Sequence, residues 1–172
     1  MRGLNNTIQI LVSISFGQKD YKKCEDVLQL GRLLSIIAFI PMILMAFATY
    51  RVLTFIGVEE EVAAWAHDYT AYLYPGMFIY IQFDTYKQYL NVTQYNKVVL
   101  FSNIISISVH VLLCHTFITV WELPVNSVAL ALCLSNLTNF MLVATYSKFC
   151  LEHSVSYFGF TNLKLLKWFD VN

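Results

Sequence analysis

Residues 98–121 and 127–147 contain no Lys, Arg, Asp or Glu, and each run is long enough for the roughly 20 residues that carry a helix across the hydrocarbon of a bilayer. Residues 33–56 form a third such run, interrupted only by Arg51 near its end. A soluble amphipathic helix shows an apolar stripe rather than a continuous apolar run, and a membrane β-strand is shorter and alternates. Charged residues make up 13% of the chain, against about 25% in soluble domains, so a water-soluble fold with a large core would lack a polar surface. The chain reads as an all-α, polytopic helical membrane protein.

The stretch 59–94, EEEVAAWAHDYTAYLYPGMFIYIQFDTYKQYLNVTQ, is also long enough to cross, yet it carries His67, Asp68, Gln82 and Asp84. Groups this costly in hydrocarbon face a bundle interior or a wet cavity. Transmembrane spans are expected at about 1–16, 33–56, 62–90, 98–121 and 127–147. Pro41 kinks the second span, and neighbouring groups re-satisfy the carbonyl it frees. Gly17 reads as a helix stop and Asp20 as the cap of a short amphipathic piece. Gly57 and Glu59, Glu60 and Glu61 end the second span, 91–97 makes a short turn, and 122–126 is a tight connection. Residues 148–172 are more polar and amphipathic, a cytoplasmic linker segment.

Basic residues divide unevenly between the two sides of this arrangement. Lys19, Lys22, Lys23, Arg32, Lys87, Lys97, Lys148, Lys164 and Lys167 fall on one side, and only Arg2 and Arg51 on the other. The positive-inside rule makes the first side cytoplasmic, which puts 17–32, 91–97 and 148–172 there. An integral protein of the plasma membrane or an organelle membrane is expected, with membrane lipids as its first partners. The formal net charge of +0 offers no basic patch for nucleic acid. Cys24, Cys114, Cys133 and Cys150 show no metal-ligand or CxxC spacing and read as small buried hydrophobes. No metal or cofactor is expected, and no nucleophile–base spacing in the spans suggests an enzyme. MRGLNNTIQI lacks the apolar run and cleavage site of a signal peptide. Met1 opens into what reads as the middle of a helix, so an incomplete chain is expected. The sequons at Asn91 and Asn136 fall on the cytoplasmic side and inside a span, where neither would be used.

Polar residues inside the spans supply the candidate site. Asn5, Gln9 and Ser13, spaced by four, suggest a stripe that glues helices together or lines a wet cavity. In the third span Asp68, Tyr72, Pro75, Gln82, Tyr86 and Tyr89 share a stripe at 100° per residue. A kinked, tyrosine-rich wall of this kind suits amphipathic or cationic ligands, although interfacial enrichment also explains tyrosines. Asp84 falls opposite, near Tyr80 and Lys87, and reads as an ion pair with Lys87 or a bundle contact. In the fourth span Asn103, Ser106, His110 and Cys114 share one face. Imidazole is the side chain that ordinarily titrates between about pH 5 and 8, so His110 is either a proton-linked group or a neutral packing donor. His115 lies on another face. Asn136, Asn139 and Tyr146 share a face of the fifth span and read as helix contacts.

The order of motifs resembles a known family. GLN at 3–5, LVS at 11–13, FG at 16–17, GR at 31–32 and IGVEEEVAAWAHDY at 56–69 come in sequence. YPGMFIYIQFD at 74–84, YLNVTQ at 89–94 and NIISISVH at 103–110 follow. Nearly the whole chain is collinear with the N-terminal lobe of the multidrug and toxic compound extrusion (MATE) family, and SVHVLL looks closer to its eukaryotic branch. The resemblance implies twelve helices in two pseudo-symmetric lobes around a central cavity, with the five spans here matching helices two to six. It further implies a cation-coupled antiporter of xenobiotics and organic cations, working with a C-terminal lobe. The family's first and seventh helices, which carry coupling acids in different branches, have no counterpart here. Where prokaryotic members often place Asn and Asp four apart, this chain has Ser106 and His110, which favours a proton over sodium as the coupling ion. The transport-pathway or coupling candidates are His110, Asn103, Ser106, Gln82, Pro75, Tyr86 and Asp84. The alternatives are a non-transporting assembly protein or degenerate half-transporter, and a lipid-linked precursor flippase. The flippase reading would call for cavity-facing Lys or Arg.

Overall fold

The computed structural model describes residues 2–150, with side chains from 3 to 147. Five helices follow one another: α1 (Arg2–Gly17), α2 (Tyr21–Phe55), α3 (Glu60–Val92), α4 (Asn96–His115) and α5 (Asn126–Cys150). A π-helical stretch, Thr116–Val120, extends α4. No strand occurs among the described residues. The segment expected over 148–172 lies almost wholly outside them.

Three connections share one construction. After α1, Lys19 N–H donates to the Phe16 carbonyl and Asp20 N–H to the Ser15 carbonyl, at 2.9 and 3.1 Å. After α2, Gly57 and Val58 donate to Thr54 and Leu53 in the same pattern, and after α3 Tyr95 donates to Leu90. This is the Schellman arrangement, which satisfies the last carbonyls of a helix through one left-handed residue. That residue is Lys19, Gly57 or Gln94, with φ of 60°, 93° and 68°. Glycine ends α2 as expected. The left-handed position after α1 belongs to Lys19, however, and Gly17 is simply the last residue of that helix.

Asp20 caps α2, its carboxylate accepting from the Lys23 N–H at 3.1 Å. The expected separation of a short amphipathic piece from the apolar span does not occur, because α2 is continuous over 35 residues. At about 1.5 Å per residue it is about 52 Å long, against about 30 Å of hydrocarbon. Its charged first turns therefore stand outside the apolar layer as part of the same rod. Gly31 does not break it. A Cβ there would meet Ile8 Cδ1 at 2.5 Å, so the glycine marks where α1 lies against α2.

α3 is the shared element. It packs against α1, α2 and α5 and touches α4, while α4 rests on α5. Two three-helix groups, α1–α2–α3 and α3–α5–α4, thus have one member in common. Apolar packing concentrates around Val12, Cys24, Leu28, Tyr86, Leu90 and Val143. Elsewhere the interior is polar and small: Ser15, Ser35, Thr85, Ser102, Ser106, Ser127, Ser135 and Ser147 are buried, while Leu44, Met45 and Phe47 of α2 are exposed. An apolar exterior around small polar contacts is how helices associate in lipid, where apolar burial between helices gains nothing. By length and composition α2, α4 with its extension, and α5 can each cross a membrane.

Candidate functional site

α5 presents Ser127, Ala131, Ser135, Asn139, Val143 and Ser147, all buried, at intervals of four. Such a stripe of mostly small residues lets two helices approach it closely. On one side Asn139 Nδ2 donates to Asn103 Oδ1 at 2.8 Å, and Ser106 Oγ donates to the Ser135 carbonyl at 2.7 Å. On the other side Asn136 Nδ2 donates to the Gly76 carbonyl at 3.2 Å. A Cβ on Gly76 would lie 2.8 Å from Cys133 Cα, so α3 and α5 meet there backbone to backbone. Asn136 and Asn139 are helix contacts, each to a different partner.

Asn103 and Ser106 are therefore engaged in joining α4 to α5. His110, one to two turns beyond Ser106, is half-buried. Its ring nitrogens lie 3.7 and 3.9 Å from Cys114 Sγ on the same helix, a distance for weak sulfur contact. The structure brings Asn103 and Ser106 onto the α5 contact and leaves His110 with its own helical neighbour.

The α3 candidates divide between settings. Pro75 borders an apolar groove with α2. Gln82 and Tyr86 are buried. Tyr86 belongs to the apolar cluster and lies 5.9 Å, ring to ring, from Tyr89 in a stacked pair. The expected tyrosine stripe thus changes character along its length, with Tyr72 exposed and Tyr86 and Tyr89 in the core. Gln82 Oε1 accepts from Arg32 Nε at 3.4 Å, while its Nε2 is buried without a partner. Arg32 is a cation at the α2–α3 contact, a contact that its sequence did not announce. Its charge and position among cytoplasmic-side basics hid it. Asp84 accepts a hydrogen bond from Asn5 Nδ2 of α1 and lies 3.8 Å from Lys87 Nζ. The two ions keep 23% and 32% side-chain exposure, so this pair is worth at most about 1 kcal/mol. Asn5 Oδ1 is buried and unpartnered.

Nothing in the sequence singles out Ser35 and Thr85, and His67 reads there only as one of the costly groups of the third span. Ser35 Oγ and Thr85 Oγ1 meet at 3.0 Å between α2 and α3. His67 has a buried Nδ1 with no partner and is among the residues that border the same groove as Pro75. Ser35 and Thr85 carry no local signal, because each finds its partner 50 residues away.

The bundle is not unique to this chain. Residues 1–116 match the MatE family model. The chain belongs to the MatE family. Among curated Arabidopsis thaliana proteins it is 26% identical to Protein DETOXIFICATION 16 over 161 residues, covering 94% of this chain and 33% of that one. It is 25% identical to Protein DETOXIFICATION 48, covering 96% of this chain and 31% of the relative. The crystal structure of the eukaryotic MATE transporter AtDTX14 superposes with a TM-score of 0.82 at 22% identity, covering 96% of this chain and 37% of that chain. The described residues thus have the MATE fold, and the chain spans about one third of the curated relatives it matches. MatE membership and three helices able to cross a bilayer make it an integral membrane protein.

Proposed function

We propose that this chain acts as part of the N-terminal lobe of a xenobiotic and organic-cation antiporter, coupled to protons and working by alternating access against a second lobe. The observation that carries the reading is the superposition of nearly the whole bundle on a MATE transporter together with the MatE match. Alternating access moves one repeat against another around a midplane site. A lobe held rigid by the Asn103–Asn139, Ser106–Ser135 and Asn136–Gly76 bonds suits that rigid-body motion.

Proton coupling needs a group whose occupancy biases one lobe conformation. His110 is our leading candidate: it lies within a helix able to span the bilayer and is not consumed by an interhelical bond among the described residues. Asp84 is the second, since its Asn5 contact joins α1 to α3. The proton is favoured over sodium because the face of α4 that carries Asn103 and Ser106 holds His110 and no carboxylate. In the complete transporter, reconstituted with a fluorescent organic cation and an imposed pH gradient, His110→Ala removes the pH dependence of export. Unchanged pH dependence with normal expression makes His110 a packing residue. The 172 residues alone in vesicles do not export; export by them would overturn the two-lobe reading.

A further inference from the structure

Lys97 stands in the first turn of α4, at one end of an open groove that α4 forms with α5. The groove has a volume of about 360 Å³, and Val98, Phe101, Ile105, Leu142 and Tyr146 line it with Lys97. A second groove, of about 560 Å³, runs along α5 past Leu137 and Met141 and shares Leu142 and Tyr146 with the first. From this geometry we infer that the two grooves together bind one anionic diacyl phospholipid. Its acyl chains lie on either side of Leu142, and its phosphate meets the Lys97 ammonium and the Tyr146 hydroxyl.

Polarity runs along the grooves in the order such a lipid requires. Farther in, the Ser102 hydroxyl donates to the Val99 carbonyl and the Thr138 hydroxyl to the Leu134 carbonyl, at 3.0 and 2.9 Å. Both are thus turned to their own helix. The side chains of Lys97, Thr145 and Tyr146 make no hydrogen bond or ion pair among the described residues, and all three lie at the same end. From Lys97 to Ile105 the groove follows α4 for about 12 Å, and from Tyr146 back to Leu137 it follows α5 for about 14 Å. Both lengths fit one leaflet of a hydrocarbon layer about 30 Å thick. Phe101 and Met141, 64% and 55% exposed, continue the grooves into the apolar surface of the bundle.

Charge selects the headgroup. Lys97 is exposed at the end of a segment able to cross the bilayer, where a lysine keeps its stem along apolar surface and its ammonium among headgroups. The first turn of α4 holds no acidic residue, and Tyr95 gives it no side-chain cap, so the helix dipole adds to the positive charge there. Among the described residues no carboxylate lines either groove. An anionic headgroup complements this end, and an organic cation does not. The distribution of basic residues makes the leaflet the cytoplasmic one. The inference requires only that the chain sit in a membrane and is independent of transport.

Native mass spectrometry of the purified 172-residue chain tests it, with palmitoyl-oleoyl phosphatidylglycerol and the matching phosphatidylcholine as the probes. The unaltered chain retains the anionic lipid over the zwitterionic one by about fivefold, the ratio that one interfacial lysine supports. Lys97→Gln abolishes that preference, whereas Lys22→Gln, at the start of α2, leaves it in place. Leu142→Trp obstructs both grooves and abolishes retention of both lipids; Ile105→Trp repeats the test from α4 if the first variant does not fold. Absence of a preference in the unaltered chain, or its equal loss in the two lysine variants, overturns the phosphate site. Lipid retention unchanged by both tryptophans overturns the grooves. A lipid-free dimer that Leu142→Trp converts to monomer would assign the face to a second copy of the chain instead.

Discussion

Asn136 and Asn139 stand three residues apart on α5 and donate to different helices, one to a backbone carbonyl and one to another amide. Each holds a small-residue face against its neighbour, so their loss is felt as helix separation. Hydrogen bonds of this kind in a bilayer average about 0.6 kcal/mol and reach about 1.7. Asn139→Ala and Asn103→Ala should each lower stability within that range. The double variant should cost no more than the larger single, measured by thermal unfolding in detergent. The buried glycines permit a sharper contrast. A Cβ at Gly76 meets backbone of α5, which cannot move alone, whereas a Cβ at Gly31 meets the flexible tip of Ile8. Gly76→Ala should cost about 1–3 kcal/mol. Gly31→Ala should cost less, and Ile8→Val should relieve part of it.

At the scale of whole elements, helix ends show how far local signals reach. Asp20 is readable as a cap because a carboxylate there reaches the free N–H of Lys23. Gly57 is readable because glycine carries no penalty at φ 93°. Lys19 and Gln94 adopt the same backbone geometry without a glycine to announce it, since the hydrogen bonds of the Schellman turn decide the conformation there. Lys19→Gly and Gln94→Gly should therefore each raise stability by about 1 kcal/mol, the cost of a left-handed side-chain residue. A fall in unfolding midpoint would mean that the lysine or glutamine side chain contributes more than the backbone loses.

The start of α2 is less legible, because charge density drops at residue 33 while helix geometry continues back to Tyr21. The face of α1 illustrates a different failure. Spacing by four does keep Asn5, Gln9 and Ser13 near one side of the helix, but the face that α1 buries is centred on the other side of Asn5. The buried set is Asn5, Ile8, Val12 and Ser15, and Gln9 and Ser13 point outward. For the candidate site, residue types on single helices were readable, as with the shared face of Asn103 and Ser106. What each touches was not, since Asn103 meets Asn139 and Asp84 meets Asn5 across separations of 36 and 79 residues.

For the molecule as a whole, the asymmetry of basic residues yields a testable orientation. In a background with the native cysteines replaced, a cysteine at Gln94 should react with an impermeant maleimide only from the cytoplasmic side. One at Glu60 should react only from the opposite side. The reverse pattern, or labelling of both from one side, would refute the proposed topology. Trp65 and Trp121, both more than 60% exposed, belong to the Glu60 side in this arrangement. Lipids brominated near the headgroup should quench them better than lipids brominated at the chain end.

The position of α3 between the two helix groups has a consequence for biogenesis. Its composition does not place it with the helices apolar enough to cross unaided, yet it contacts every other helix of the bundle. Asp84, Gln82 and Lys87 make lateral release from the translocon into lipid costly for an isolated α3. α1 and α2 emerge from the ribosome earlier and can receive one side of it through Asn5 and Arg32. The Asn136 contact must wait until α5 has been synthesised. Membrane insertion of this bundle should therefore be cooperative, with α3 staying near its predecessors until α5 arrives.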